Sequence, residues 1–168
     1  MPRTDRAPLI VSASRRTDIP AFHMEWMLNR LKEGVVNVRN PRNPKQIRRV
    51  ELTRDDVGCI VFWSKDPAPL LARIDKLEAF GIPFGVLFTL NAYGTLEPNL
   101  PPREARIATF LALSRRIGKE KLVWRYDPIG LSPRCDHAFH VRNFQELANA
   151  LSGATDRCIV SFLDFVKI

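Results

Sequence analysis

Short apolar runs recur along the chain, each followed by a segment whose apolar residues return every three or four positions. The first run is Pro8 to Ala13, and Ile19 to Glu33 then reads as a helix ended by Gly34. Its buried stripe is read from Phe22, Trp26 and either Met27 or Leu31. Val35 to Val38 reads as an extra strand or a loop under the sheet, and Asn40-Pro41-Arg42-Asn43-Pro44 excludes regular structure. Cys59 to Trp63 is a continuous apolar strand of the kind covered on both faces. Asp66-Pro67 then supplies a helix cap and a proline at the first helical position, ahead of Leu70, Leu71, Ile74 and Leu77. A third unit has its strand at Phe84 to Leu90, a polar loop to Pro102 and a helix to Ile117. A fourth has its strand at Lys121 to Tyr126 and a helix from about Ala138 to Leu151, and a fifth strand spans Cys158 to Leu163.

Strands alternating with helices imply βαβ units and a parallel sheet. No GxGxxG or GxxxxGK[ST] loop follows any strand, so the usual mark of a nucleotide-binding open sheet is missing. Polar residues gather at the strand ends, as in barrels whose sites sit at the C-terminal mouth. The pattern therefore predicts an α/β fold: an incomplete (β/α)8 TIM-like barrel of about five parallel strands with flanking helices. Residues 1–168 form one domain in this reading, the N-terminal portion of a longer barrel.

Composition adds a bias. The net charge is +8, and Arg39, Arg42, Lys45, Arg48, Arg49 and Arg54 crowd one stretch opposed by Glu51. Such a stretch is a solvated loop or a surface facing phosphate or nucleic acid. Cys59, Cys135 and Cys158 form no CxxC pair, and the first and last sit in apolar runs as small buried hydrophobes. No apolar run approaches a membrane span, and the start lacks a secretory core, so a cytoplasmic protein with reduced thiols is expected.

The strand ends hold the candidate chemistry. They read Ser12 to Asp18, Trp63 to Asp66, Thr89 to Asn91, Arg125 to Pro128 and Ser161 to Asp164, and a parallel sheet gathers them on one face. Lys65, Asp127 and Asp164 are the acid–base candidates, with Asp127 and Asp164 also able to bind a metal. Ser14, Arg15, Arg16, Asp18, Ser64, Thr89, Asn91 and Arg125 are assigned to binding an anionic small molecule, for which the arginine fork is suited. Three competing structural roles are clear at these strand ends: Asp66 as a helix cap, Asp18 as a cap or an orienter of Arg15 or Arg16, and Arg125 with Asp127 as an internal ion pair. Cys135-Asp136-His137-Ala138-Phe139-His140 suggests a metal site but reads better as a loop entering a helix, so no metal ligand is assigned. Trp26, Trp63 and Trp124 are placed in helix and strand cores, apart from the basic stretch.

Four stretches together resemble a bacterial family, domain of unknown function 1848. They are Ser12 to Phe22, Val38 to Gln46 with its two Asn-Pro pairs, Cys59 to Pro67, and Val123 to Pro128. The resemblance implies a barrel-like fold. It also implies that longer members continue into a C-x3-C-x2-C cluster like that of radical S-adenosylmethionine enzymes. An iron-sulfur cluster and S-adenosylmethionine are thus implied only for a longer form, because this sequence holds no such motif. The leading expectation is an enzyme, or part of one, acting on an anionic substrate. The alternative is a non-catalytic nucleic-acid-binding module built on residues 39–54. A third reading pairs the open sheet edge with another chain.

Overall fold

The computed structural model describes residues 7–94 and 96–163. Among the described residues seven strands form two sheets. β1 (Leu9–Ala13), β4 (Val57–Ser64), β5 (Phe84–Thr89), β6 (Leu122–Ile129) and β7 (Cys158–Phe162) make a parallel sheet in that order. The strand order never reverses. Right-handed crossovers taken always toward the next position put every helix on the same side, and no switch point of a doubly wound sheet arises. The five strands curl into a half-barrel with flanking helices.

Alternation along each strand then separates two faces. Ile60, Phe62, Val86, Phe88, Trp124 and Tyr126 are buried beneath the helices. Phe88 stacks on Phe110 of α5 (Arg103–Ile117), with ring centroids 5.4 Å apart. Trp124 stacks on Phe144 of α6 (His137–Ala150) at 4.8 Å. The residues between them, including Val61, Trp63, Leu87, Val123 and Arg125, face the opposite way, toward the uncovered face.

Several local details depart from the sequence reading. The helix expected over Ile19–Glu33 is two, α1 (Ile19–Phe22) and α2 (Met24–Glu33), hinged at His23. The buried stripe is Met24, Met27, Leu28 and Leu31, while Phe22 and Trp26 are exposed. The break shifts helical phase, so a stripe counted across it picks the wrong residues. Gly34 ends α2 in the left-handed region at φ 70°, as expected. β2 (Val35–Arg39) is a strand, paired antiparallel with β3 (Ile47–Glu51) in a separate two-stranded sheet around the Asn-Pro turns. β3 has no apolar run in the sequence, because three of its five residues, Arg48, Arg49 and Glu51, are charged.

The helix after β4 is also divided, into α3 (Ala68–Leu71) and α4 (Ile74–Glu78). Pro67 occupies the cap position, and Asp66 sits one residue earlier, accepting from the Ala68 amide at 3.3 Å. The last strand is exposed throughout, so Cys158 is exposed rather than buried. Its apolar run marks it as a strand, but no described helix covers it. Among the described residues no helix is long and apolar enough to cross a membrane.

Candidate functional site

The strand ends expected to share one site fall into two groups with a linking pair. The first group surrounds β1. Ser14 leaves the strand in the left-handed region, at φ 77°, a conformation uncommon for a residue other than glycine. Its Oγ accepts from the Ile19 amide at 3.2 Å, which fixes the turn into α1. Arg15 and Arg16 follow and line a cleft of about 600 Å³ with Ser12, Ser14, Trp26 and Arg39, between β1 and the β2–β3 hairpin. Arg16 donates through Nη2 to the Arg39 carbonyl. Trp26 therefore stands beside basic side chains, contrary to its expected place in a helix core.

The linking pair is Asp18 and Ser64. One Asp18 oxygen caps α1 by accepting from the Ala21 amide at 3.0 Å. The other accepts from Ser64 Oγ and from the Lys65 amide, each at 2.9 Å. Ser64 Oγ in turn accepts from the Asp66 amide at 3.0 Å. Asp18 is thus a cap and a clasp: it ties the exit of β1 to the exit of β4, and its carboxylate bonds Ala21, Ser64 and Lys65 rather than Arg15 or Arg16.

The second group lies at the ends of β4, β5 and β6. Thr89 pairs in register with Arg125, which pairs with Ile159, so all three point to the uncovered face. Arg125 Cζ lies 4.5 Å from the centre of the Trp63 ring, within cation–π range. Its guanidinium forms an ion pair with Asp127, whose other oxygen accepts from Ser161 Oγ. Lys65 Nζ pairs with Glu97. Asn91 is buried, and its Nδ2 reaches the Asp127 carbonyl at 3.4 Å. Asp164 lies outside the described residues.

Burial holds the Lys65 amine below the ordinary lysine value. Arg106 and Arg125 reinforce that direction, while Asp127 and Asp18 oppose it. Beyond this group, the Tyr126 phenol is pushed up to about 12 by burial, with the neighbouring Tyr93 adding to the effect. Tyr126 Oη lies 3.0 Å from His140 Nδ1, and His140 Nε2 lies 3.1 Å from the Gly130 carbonyl. Both ring nitrogens of His140 therefore have partners, which suits an internal strut and leaves no metal-binding nitrogen free.

Two members of the cluster, Glu97 and Arg106, were not anticipated. Arg106 had a signal: it falls on the buried stripe Arg106, Phe110, Leu113 and Ile117, a charge where the helix faces its core. Glu97 had none, because it sits in an irregular loop whose path only the fold defines. The residues do not fit an iron-sulfur cluster. Cys59 lies on the uncovered face and Cys158 pairs with Trp124 on the helix-covered face, so they point oppositely. Among the described residues no group of three or more His, Cys, Asp or Glu could hold a metal.

Fold and cluster together define an α/β half-barrel with charged side chains at the C-terminal ends of its middle strands. A family model described as "Domain of unknown function (DUF1848)" matches residues 10–168, and the chain belongs to that family. Neither a search of curated proteins nor one of solved structures finds a match.

Proposed function

We propose that residues 1–168 are one domain of a TIM-barrel-type enzyme, or the N-terminal portion of one, that binds an anionic substrate at the C-terminal strand ends. The observation that supports this best is the grouping of Lys65, Arg125 and Asp127 on the uncovered face, where Trp63 stacks beneath Arg125. Arg125 is the anion clamp in this reading, with Thr89 and Asn91 beside it. Lys65 is the acid–base group, because a depressed pKa brings an amine nearer to neutral pH. Asp127 holds Arg125 in place and is the second proton acceptor. Ser14, Arg15 and Arg16 extend the anion-binding surface across β1, and Asp18 with Ser64 positions the Lys65 backbone. Asp164 remains a candidate carboxylate for the same chemistry. Cys59 and Cys158 point to opposite faces of the sheet and do not converge on an iron-sulfur site.

The test is a thermal-shift screen of phosphorylated and carboxylated metabolites, followed by Arg125→Gln and Asp127→Asn. A ligand that stabilises the wild type but neither folded variant supports the reading. Unfolding of both variants, or unchanged stabilisation, makes the Arg125–Asp127 pair purely structural.

A second reading, binding to single-stranded nucleic acid, is favoured by one observation. Trp26 lines the same cleft as Arg15, Arg16 and Arg39, giving an aromatic face beside positive charge. Affinity for a fluorescent oligonucleotide should then fall steeply as salt rises from about 50 to about 200 mM. Absence of binding at the lower salt defeats this reading.

A further inference from the structure

The loop after β5 and the start of α5 enclose a cavity of about 340 Å³, lined by Asn91, Tyr93, Glu97, Arg103, Arg106 and Asn143. It adjoins the strand-end cluster through Asn91, but its polar atoms are arranged differently. Arg106 is only 5% exposed and Asn91 only 1%. Arg106 Nη2 donates to the Asn91 carbonyl at 3.0 Å. Its Nε and Nη1 have no partner among the described residues, and neither have Asn91 Oδ1 and Glu97 Oε2. Buried polar atoms are nearly always bonded, so four such atoms on three residues that line one cavity need an explanation.

The neighbouring charges are already engaged. Arg103 donates to Glu146 at 2.9 Å and to Asn143 at 3.4 Å, and the other Glu97 oxygen is held by Lys65. What remains is one cation's donors and two acceptors, one of them anionic. A simple anion would satisfy Arg106 but face the Glu97 carboxylate. A simple cation would satisfy Glu97 but face Arg106. A molecule carrying both charges satisfies all four atoms, and the volume suits a small one.

We propose that this cavity binds a small zwitterion, a free α-amino acid or the amino-acid end of a larger molecule. Its carboxylate meets Arg106, and its ammonium meets Asn91 Oδ1 and Glu97 Oε2. The inference does not depend on the substrate reading above, because binding here is measured without turnover and without Arg125.

Isothermal titration calorimetry with individual proteinogenic amino acids tests it, using acetate and methylammonium as single-charge controls. At least one amino acid should bind the wild type, and neither control should bind at the same concentration. Glu97→Gln should weaken that binding roughly tenfold to a hundredfold, the range for losing a charged hydrogen bond. Arg106→Met should abolish it, and Arg125→Gln should leave it intact. If Arg106→Met fails to fold by circular dichroism, Glu97→Gln decides the question. The proposal is overturned if no amino acid binds, if acetate binds as tightly, or if Glu97→Gln binds as well as the wild type.

Discussion

At Lys65, burial and the cations of Arg106 and Arg125 favour the neutral amine against the pull of Asp127 and Asp18. The folded pKa lies below the unfolded one, so between the two values the unfolded chain binds more protons and stability rises with pH. Tyr126 works in the opposite sense. Its folded value is about 12 against an ordinary 10.0, so between those values the folded chain binds more protons and stability falls. Burial also raises the Cys158 thiol and the Tyr93 phenol, which act in the same sense as Tyr126. The contribution of Lys65 is therefore read as a difference: in urea unfolding from pH about 8 to about 11, the stability of the wild type relative to Lys65→Met should rise with pH. Glu97→Gln, by deleting the partner carboxylate, should lower the Lys65 pKa further, read by NMR of the ¹³C-methylated amine. A Lys65 midpoint at or above the ordinary lysine value would contradict the assignment. Legibility was uneven at this scale. Lys65, Arg125 and Asp127 were readable because strand ends are visible in a pattern. The partnership of Lys65 with Glu97 was not, since it spans 32 positions and a loop without periodicity.

Elements meet at Asp18, where one carboxylate serves a helix and a strand exit. A lost N-cap alone costs about 1 kcal/mol. Removal here also strips acceptors from Ser64 Oγ and the Lys65 amide, so Asp18→Ala should cost about 2–3 kcal/mol in urea unfolding. A loss below about 0.5 kcal/mol, the level of an ordinary surface change, would mean the clasp does not hold the two exits together. The capping role was legible from Asp18-Ile19-Pro20, a polar residue ahead of a proline-bearing first turn. The clasp was not, because nothing local to Asp18 points to residues 64 and 65. The β2–β3 hairpin shows the converse failure. Its second strand is charged on both sides, so it has no alternation to read, and pairing with β2 alone makes it a strand.

Across the whole molecule, stability should be graded outward from the centre of the parallel sheet. β4, β5 and β6 have neighbours on both edges and buried residues against the helices, whereas β7 is a sheet edge exposed along its length. Amide hydrogen exchange should be slowest in β4 to β6 and fastest in β7, because local opening is cheapest where few apolar contacts are lost. Equal protection in β7 would mean that the edge is covered in solution, for instance by self-association. The five strands of the parallel sheet and their alternation with helical segments follow from the sequence itself, because apolar runs and helical spacing are local properties of the chain. Tertiary structure alone decided which faces are covered, how the strand-end charges divide into two groups, and that Arg106 meets Asn91 beside Glu97. Those outcomes depend on the curl of the sheet and the paths of the loops, which bring together residues that no local pattern relates.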